Sequence, residues 1–381
     1  MLVNDPQACI REKAARLEPW LTELRRDNYS HPELAFEEVR TAGIVATELT
    51  RMGISRRTGV GRTDVLGVIE GERPGLALAL RADMDALPIH EETGLPFASK
   101  YDGKMHACGH DIHTVTLLGA AEVLNGMWEN LAGRFMLIFQ PAEEVMEGAP
   151  AMIADGAAQS VDMAIGFHNH PNQPVGTFGF VRGPSLAASD RFDITLRGKS
   201  GQAAHPCAAV DPIVGAAHLI TQLQTVVSRE QKPLHPCVIT VGMFQAGTAR
   251  NIIPERVHLK GTVRTLHAEA RDVTEAAAMR LTVTLDDRRM VGSLVNDDRV
   301  LEPAIASVRA HFGEVVHEGQ PSMGAEDFAA FAQKVPSFHL GIGAWAPGRD
   351  DRLHNADYQP DERCIALGVQ ALSGIAVDML A

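Results

Sequence analysis

The hydrophobic pattern of this chain changes period twice, and that change constrains the fold more than any other feature. In residues 11–26, Ala14, Leu17, Trp20, Leu21 and Leu24 recur at helical spacing, and a second helical pattern covers 37–52. Short apolar runs at 65–69, 76–80, 134–139 and 163–167 read as strands, with helical residues around 114–124 between them. Strands alternating with helices predict an α/β domain with a mostly parallel sheet. Near Asp190 the period shortens: Phe192, Ile194 and Leu196 alternate with polar residues, as in a sheet with one solvated face. Asp211-Pro212 then opens a helix with the apolar stripe Ile213, Ala216, Ile220, Leu223 and Val227. Strands follow at Val238–Gly242 and at 257–263, helical residues from Ala268, and a last short strand at Leu281, Val283 and Leu285. This β-α-β-β-α-β order predicts a ferredoxin-like α+β insert. After Asn296 the α/β pattern resumes. The expected organisation is therefore one discontinuous domain, residues 1–186 and 296–381, interrupted by a second at 187–295. A length of 381 residues fits, being more than one core usually supports.

Charge and cysteine content narrow the function classes. A net charge of −13 argues against a nucleic-acid binder, which needs a basic stripe to displace counterions. Residues 1–26 carry Asp5, Arg11, Glu12, Lys13, Arg16, Glu18 and Glu23, so no signal-peptide apolar region is expected there. No uninterrupted apolar run reaches the ~18 residues of a membrane span. The five cysteines are few and widely spaced, which points to a reduced compartment and not to a disulfide framework. The expectation is a cytoplasmic protein with no membrane and no nucleic-acid partner.

Four stretches concentrate chemistry. Residues 105–113, MHACGHDIH, pack three histidines, a cysteine and an aspartate together, all types that ligate metals. If Cys108 and His110 lie on an extended segment, both side chains point to one side and reach one ion. Glu143 and Glu144 follow the strand at 134–139, at the carboxyl end where ligands bind in open α/β sheets. One of two adjacent carboxylates can hold a metal while the other moves protons. His168 follows another strand, and His354 follows a Gly/Pro-rich loop. Each of these taken singly is an ordinary polar surface feature; together they make a donor set.

Those stretches, with SHPELAFEE at 30–38, RADMDALPI at 81–89, Asn251-Ile252-Ile253-Pro254, Gly261-Thr262-Val263-Arg264 and Glu326-Asp327-Phe328, occur in the order found in the M20 metallopeptidases. The chain most resembles the branch of aminoacylases, hippurate hydrolases and auxin-conjugate hydrolases, over nearly its whole length. The resemblance implies a site for two divalent ions, of zinc, manganese, nickel, cobalt or iron. The implied ligands are Cys108, His110, Glu144, His168 and His354, with Glu143 as general base and Asp83 orienting a group at the site. It also implies that the inserted domain is a lid through which two copies dimerise, and that Asn251 and Arg264 bind a substrate carboxylate. Cleavage of N-acyl or N-aroyl amino acids is the implied reaction. A dipeptidase or hydrolase of another amide conjugate is the alternative, and a non-catalytic metal-binding protein of the same fold is the alternative of another class. Two features depart from the family pattern. Gln202 stands where the lid's first histidine is expected, with His205 nearby and Cys207 in place of the second histidine. The stretch between Val273 and Asn296 is also shorter than usual.

Overall fold

A computed structural model describes residues 5–278, 284–350 and 352–380. The chain forms two compact units. One comprises the residues up to Gly183, Val295–Gln320 and Ala330 onward; the other comprises Pro184–Leu294 and Pro321–Ala329.

The first unit is built on an eight-stranded sheet. Its strands lie in the order Ser55–Thr58, Val65–Glu70, Ala132–Gln140, Arg73–Asp83, Met163–Pro174, Ser337–Trp345, Phe178–Phe180 and Val316–Glu318. The central strands Ala132–Gln140, Arg73–Asp83, Met163–Pro174 and Ser337–Trp345 run parallel. Antiparallel pairs join Ser55–Thr58 to Val65–Glu70, Val65–Glu70 to Ala132–Gln140, and Phe178–Phe180 to Ser337–Trp345. The sheet is thus mixed, with a parallel centre, and not parallel to its edges. Short links explain part of the difference: a hairpin closes in a few residues, whereas a parallel pair needs a long crossover.

The helix His110–Asn125 is buried on nearly every face, which is why its apolar residues follow no single stripe. Pro6–Ser30 starts on Asp5, whose Oδ1 accepts the Ala8 N–H at 3.0 Å, with Pro6 in the first turn where no donor is needed. Asp297 caps Asp298–Phe312 in the same way through the Arg299 N–H. Arg363–Leu380 is long and apolar enough by composition to cross a membrane, but most of it is buried in the core with Val115, Leu118 and Leu21.

The second unit holds a four-stranded antiparallel sheet ordered Cys237–Ala246, Arg256–Thr265, Ala188–Arg197, Thr284–Val291. In sequence these strands alternate with the helices Pro212–Thr225 and Ala268–Ala278 as strand, helix, strand, strand, helix, strand. Asp211 accepts the Ile213 N–H and so caps the first helix. Phe192, Ile194, Ala216, Leu219, Leu223, Ile239, Val257 and Leu259 form its core. Gly261, opposite Phe192 in the ladder, has no side chain because a Cβ there would sit 2.1 Å from the Phe192 ring. Leu285 falls in Thr284–Val291, while Leu281 and Val283 lie outside the described residues.

Candidate metal centre

The donor residues gather at the carboxyl side of the parallel strands in the first unit. Asp83 closes its strand, Glu143 and Glu144 follow Gln140, and His168 sits within Met163–Pro174. Cys108 and His110 do not share an extended segment as expected. Gly109 turns the chain at φ 94°, in the left-handed region, and His110 is already the first residue of a helix. That turn requires glycine twice over, because a Cβ at position 109 would also lie 2.3 Å from Asn169 Oδ1.

The turn still brings the donors together. Cys108, His110 and His168 offer ligand atoms within 4.8 Å of one another, as do Cys108, Glu144 and His354, and also His110, Glu143 and Glu144. The three groups overlap through Cys108, His110 and Glu144. Cys108 Sγ lies 3.3 Å from His168 Nε2, and His354 Nε2 lies 3.5 Å from Glu144 Oε1. His168 Nδ1 is 2.7 Å from the Asn169 carbonyl oxygen, which can only accept; the ring proton therefore sits on Nδ1, and Nε2 presents its lone pair. His354 holds a left-handed φ of 63°, fixed by its N–H donating to the Ala107 carbonyl. His110 Nε2 and Glu144 Oε1 are buried, 3.9 Å apart, and have no hydrogen-bond partner. Buried polar atoms are rarely left so, and a cation between them would satisfy both.

The electrostatics point the same way. Burial disfavours a charged His110, but Asp83, Asp85 and Glu144 outweigh it and push its pKa up to about 10. Burial raises Glu144 to about 7 despite the opposing pull of His110. Burial, reinforced by Glu144 and Glu143, pushes the Cys108 thiol well above its ordinary range. His168, by contrast, is held neutral by burial and by neighbouring histidines, as a ligand imidazole should be. Acidic groups are crowded here and retain protons that a divalent ion would replace.

Around the donors stands a second set of contacts. Asp83 is buried, and burial alone would raise its pKa; the charges of His110 and Arg81, with the hydrogen bond from His113, hold it well below the usual carboxylate range. It lies 2.7 Å from Arg81, 2.5 Å from His113 Nδ1 and 3.7 Å from His110 Nε2. His113 Nε2 accepts the Asn169 N–H, so both His113 nitrogens are committed and the ring orients its neighbours without being a free donor. Asp85 Oδ1 faces His110 Nδ1 at 3.2 Å and accepts the Glu143 N–H, while Oδ2 accepts the Glu144 N–H, both at 3.0 Å. A carboxylate behind a ligand histidine fixes the tautomer and orientation. Sequence alone gives no role to Asp85 or His113, although both stand in the motifs at 81–89 and 105–113. The usable signal was His110 and His113 three apart on a helix, with Asp83 and Asp85 two apart on an extended chain.

The remaining candidates belong to the second unit. Gln202 pairs with Ile252 in the short ladder of Gly201–Gln202 and Ile252–Ile253. The Ala203 N–H donates to the Asn251 carbonyl at 3.0 Å, and the His205 N–H to the Gln202 carbonyl at 2.9 Å. Gln202, His205 and Asn251 are all exposed and stand on two neighbouring segments joined by this ladder. Arg264 lies apart in sequence, on Arg256–Thr265, opposite Ser189 and Val238.

Residues 79–378 match the model of peptidase family M20/M25/M40. The chain belongs to that family. It is a hydrolase of amide bonds. Among similar proteins, an N-acetyl-L-cysteine deacetylase of Bacillus subtilis is 41% identical over 92% of this chain and 85% of its own length. An IAA-amino acid hydrolase of Arabidopsis thaliana is 36% identical over 97% and 87%. A solved Bacillus subtilis structure, described as a dinuclear metal-binding peptidase of the M20 family, superposes with a TM-score of 0.81 at 35% identity. It covers 96% of this chain and 99% of that one.

Proposed function

We propose that the cluster of Cys108, His110, Glu144, His168 and His354 holds two divalent ions and that the enzyme cleaves the amide of N-acyl or N-aroyl amino acids. The observation that carries this reading is the pair of buried, unpartnered atoms His110 Nε2 and Glu144 Oε1 inside a set of converging donors. Thiolate, imidazole and carboxylate together suit zinc, manganese, nickel, cobalt or iron. Bound there, such ions act as Lewis acids and lower the pKa of a water molecule.

The chain's own residues supply the rest. Glu143 is buried at the edge of the cluster with its backbone N–H held by Asp85, and in this reading its carboxylate takes the proton of the attacking water. It then delivers that proton to the departing amine. Asp83, with Arg81 and His113, keeps the rings of His110 and His113 in place. In the second unit, Asn251 and Arg264 bind the substrate carboxylate, Arg264 through its planar fork. Gln202 and His205 shape the same end of the substrate; a glutamine amide donates a hydrogen bond without carrying charge. The relatives named above support the substrate class, since one is called a deacetylase of N-acetyl-L-cysteine and another a hydrolase of IAA-amino acids.

The inserted unit is proposed as a lid and as the contact between two copies. Its sheet ends on Cys237–Ala246, an edge strand that exposes Val238, Met243 and Phe244. Cytoplasmic conditions would keep Cys108 reduced and able to ligate.

The test is hydrolysis by manganese- and zinc-loaded protein of N-acetylcysteine, other N-acetyl amino acids, hippurate, an indole-acetyl amino acid, a dipeptide and a benzamide lacking a carboxylate. Cleavage confined to carboxylate-bearing N-acyl or N-aroyl compounds is expected. Preference for the dipeptide would move the enzyme to the dipeptidases, and equal cleavage of the benzamide would remove the role given to Arg264.

A further inference from the structure

The SHPELAFEE motif at 30–38 contributes no metal donor, yet one of its carboxylates reaches the loop that carries Glu143. Glu38 is fully buried, and its Oε1 accepts two backbone N–H groups, from Phe36 at 3.0 Å and from Ala142 at 2.9 Å. Its Oε2 accepts the Thr63 hydroxyl. Phe36 and Ala142 both hold left-handed conformations, φ 62° and 55°, which side-chain-bearing residues seldom adopt without an external hold. Beyond Ala142 the next two N–H groups, of Glu143 and Glu144, go to Asp85. Three consecutive amides are thus captured by two buried carboxylates, and the chain is turned sharply at the residue before Glu143.

We infer that Glu38 is a positioning residue for catalysis: its carboxylate holds Ala142 in the left-handed turn that aims Glu143 at the site. This rests on the reading of Glu143 as the proton carrier. Helix Val39–Arg51 does not need Glu38 as a cap, because Glu33 already accepts the Arg40 and Thr41 N–H groups at 2.9 and 2.8 Å. What Glu38 adds is reach across to position 142. Misplacing a reacting group by about 1 Å costs on the order of 10²-fold in rate, so a small retraction of this carboxylate should be felt in kcat.

Two conservative variants separate reach from charge. Glu38→Gln keeps an accepting oxygen at the same reach, whereas Glu38→Asp keeps the charge but withdraws it by one methylene. The Asp variant is expected to lose on the order of 10²-fold in kcat, with KM and bound metal unchanged, while the Gln variant stays close to the parent. Hydrogen exchange supplies a readout independent of turnover: amides of 142–144 should be protected in the parent and the Gln variant and exposed in the Asp variant. Thr63→Val, which frees the other carboxylate oxygen, should give a milder form of the same defect. Equal activity and exchange in parent and Asp variant would overturn the inference. So would equal impairment of both variants, or a loss of activity that follows loss of metal. If the parent cleaves none of the amides above, the proposed reaction fails, and the exchange contrast alone decides the role of Glu38.

Discussion

Stripping the protein with a chelator and reloading it across a range of pH tests the donor set most directly. Ligands must shed their protons before they can hold a metal, so affinity and proton release are linked. Three of the proposed donors keep protons in the metal-free site: Cys108, pushed up by burial and nearby carboxylates, His110 at about 10 and Glu144 at about 7. His168 is held neutral by burial and adds none, and partial burial lowers His354 in the same direction. At pH 6 full loading should therefore release about three protons, and at pH 8.5, where Glu144 is already ionised, about two. The logarithm of the apparent affinity should climb by about three per pH unit below 7 and by about two above it. Calorimetric titration in buffers of different ionisation enthalpy reads these numbers. The stability of the stripped protein moves the opposite way. His110 is raised from 6.5, so its contribution is complete below that value and is lost as pH climbs toward 10. Glu144 is raised from 4.5, so stability is lost as pH rises through 4.5 to about 7. The gap in Tm between loaded and stripped protein should widen steadily with pH. Release of fewer than about one proton at both pH values, or a gap that narrows, would refute the assignment of Cys108 and His110 as ligands.

Further outcomes follow from the same geometry. Glu143→Gln should lower kcat by about 10²- to 10⁴-fold, the usual worth of a positioned general base, while two metals per chain stay bound by elemental analysis. Gly109→Ala should lose at least the ~1–2 kcal/mol of a left-handed side-chain residue, because its Cβ also meets Asn169; the urea midpoint should fall, and metal affinity with it. Gln202→His should raise activity on plain N-acyl amino acids more than on any other amide, and an unchanged substrate profile would show that position 202 does not set the choice.

Much of this arrangement is legible in the sequence because its signals are local. The change of period at Asp190 marks where strands alternate with exposed positions, and a strand, helix, strand, strand, helix, strand order stands in the structure between Ala188 and Val291. The candidate donors are legible too, since types that rarely cluster stand together at 105–113 and at strand ends. What the sequence hid was anything decided by a distant neighbour. Position 109 can carry no side chain because Asn169, distant in the sequence, fills the space it would need. The antiparallel flanks of the sheet depend on which strands end up adjacent, and an apolar run carries no arrow.

The least legible residues are those that hold others in place, and the reason is chemical. A ligand is recognisable by type, because few side chains bind a metal. A supporting carboxylate looks like any other: Glu33, Glu37 and Glu38 stand within six residues of one motif, yet they diverge completely in the fold. Glu33 caps the following helix, Glu37 pairs with Lys104 near the surface, and Glu38 is buried against the backbone of Ala142. Only burial and partner separate the three. Asp83 and Asp85 repeat the pattern, one facing Arg81 and His113, the other facing His110 and the amides of Glu143 and Glu144. A buried carboxylate without such partners would give up its charge or cost the fold several kcal/mol. Each of these acids can persist only where the chain brings several donors to it. The supporting residues of the site therefore become recognisable once the burial of an acid is known, and not before.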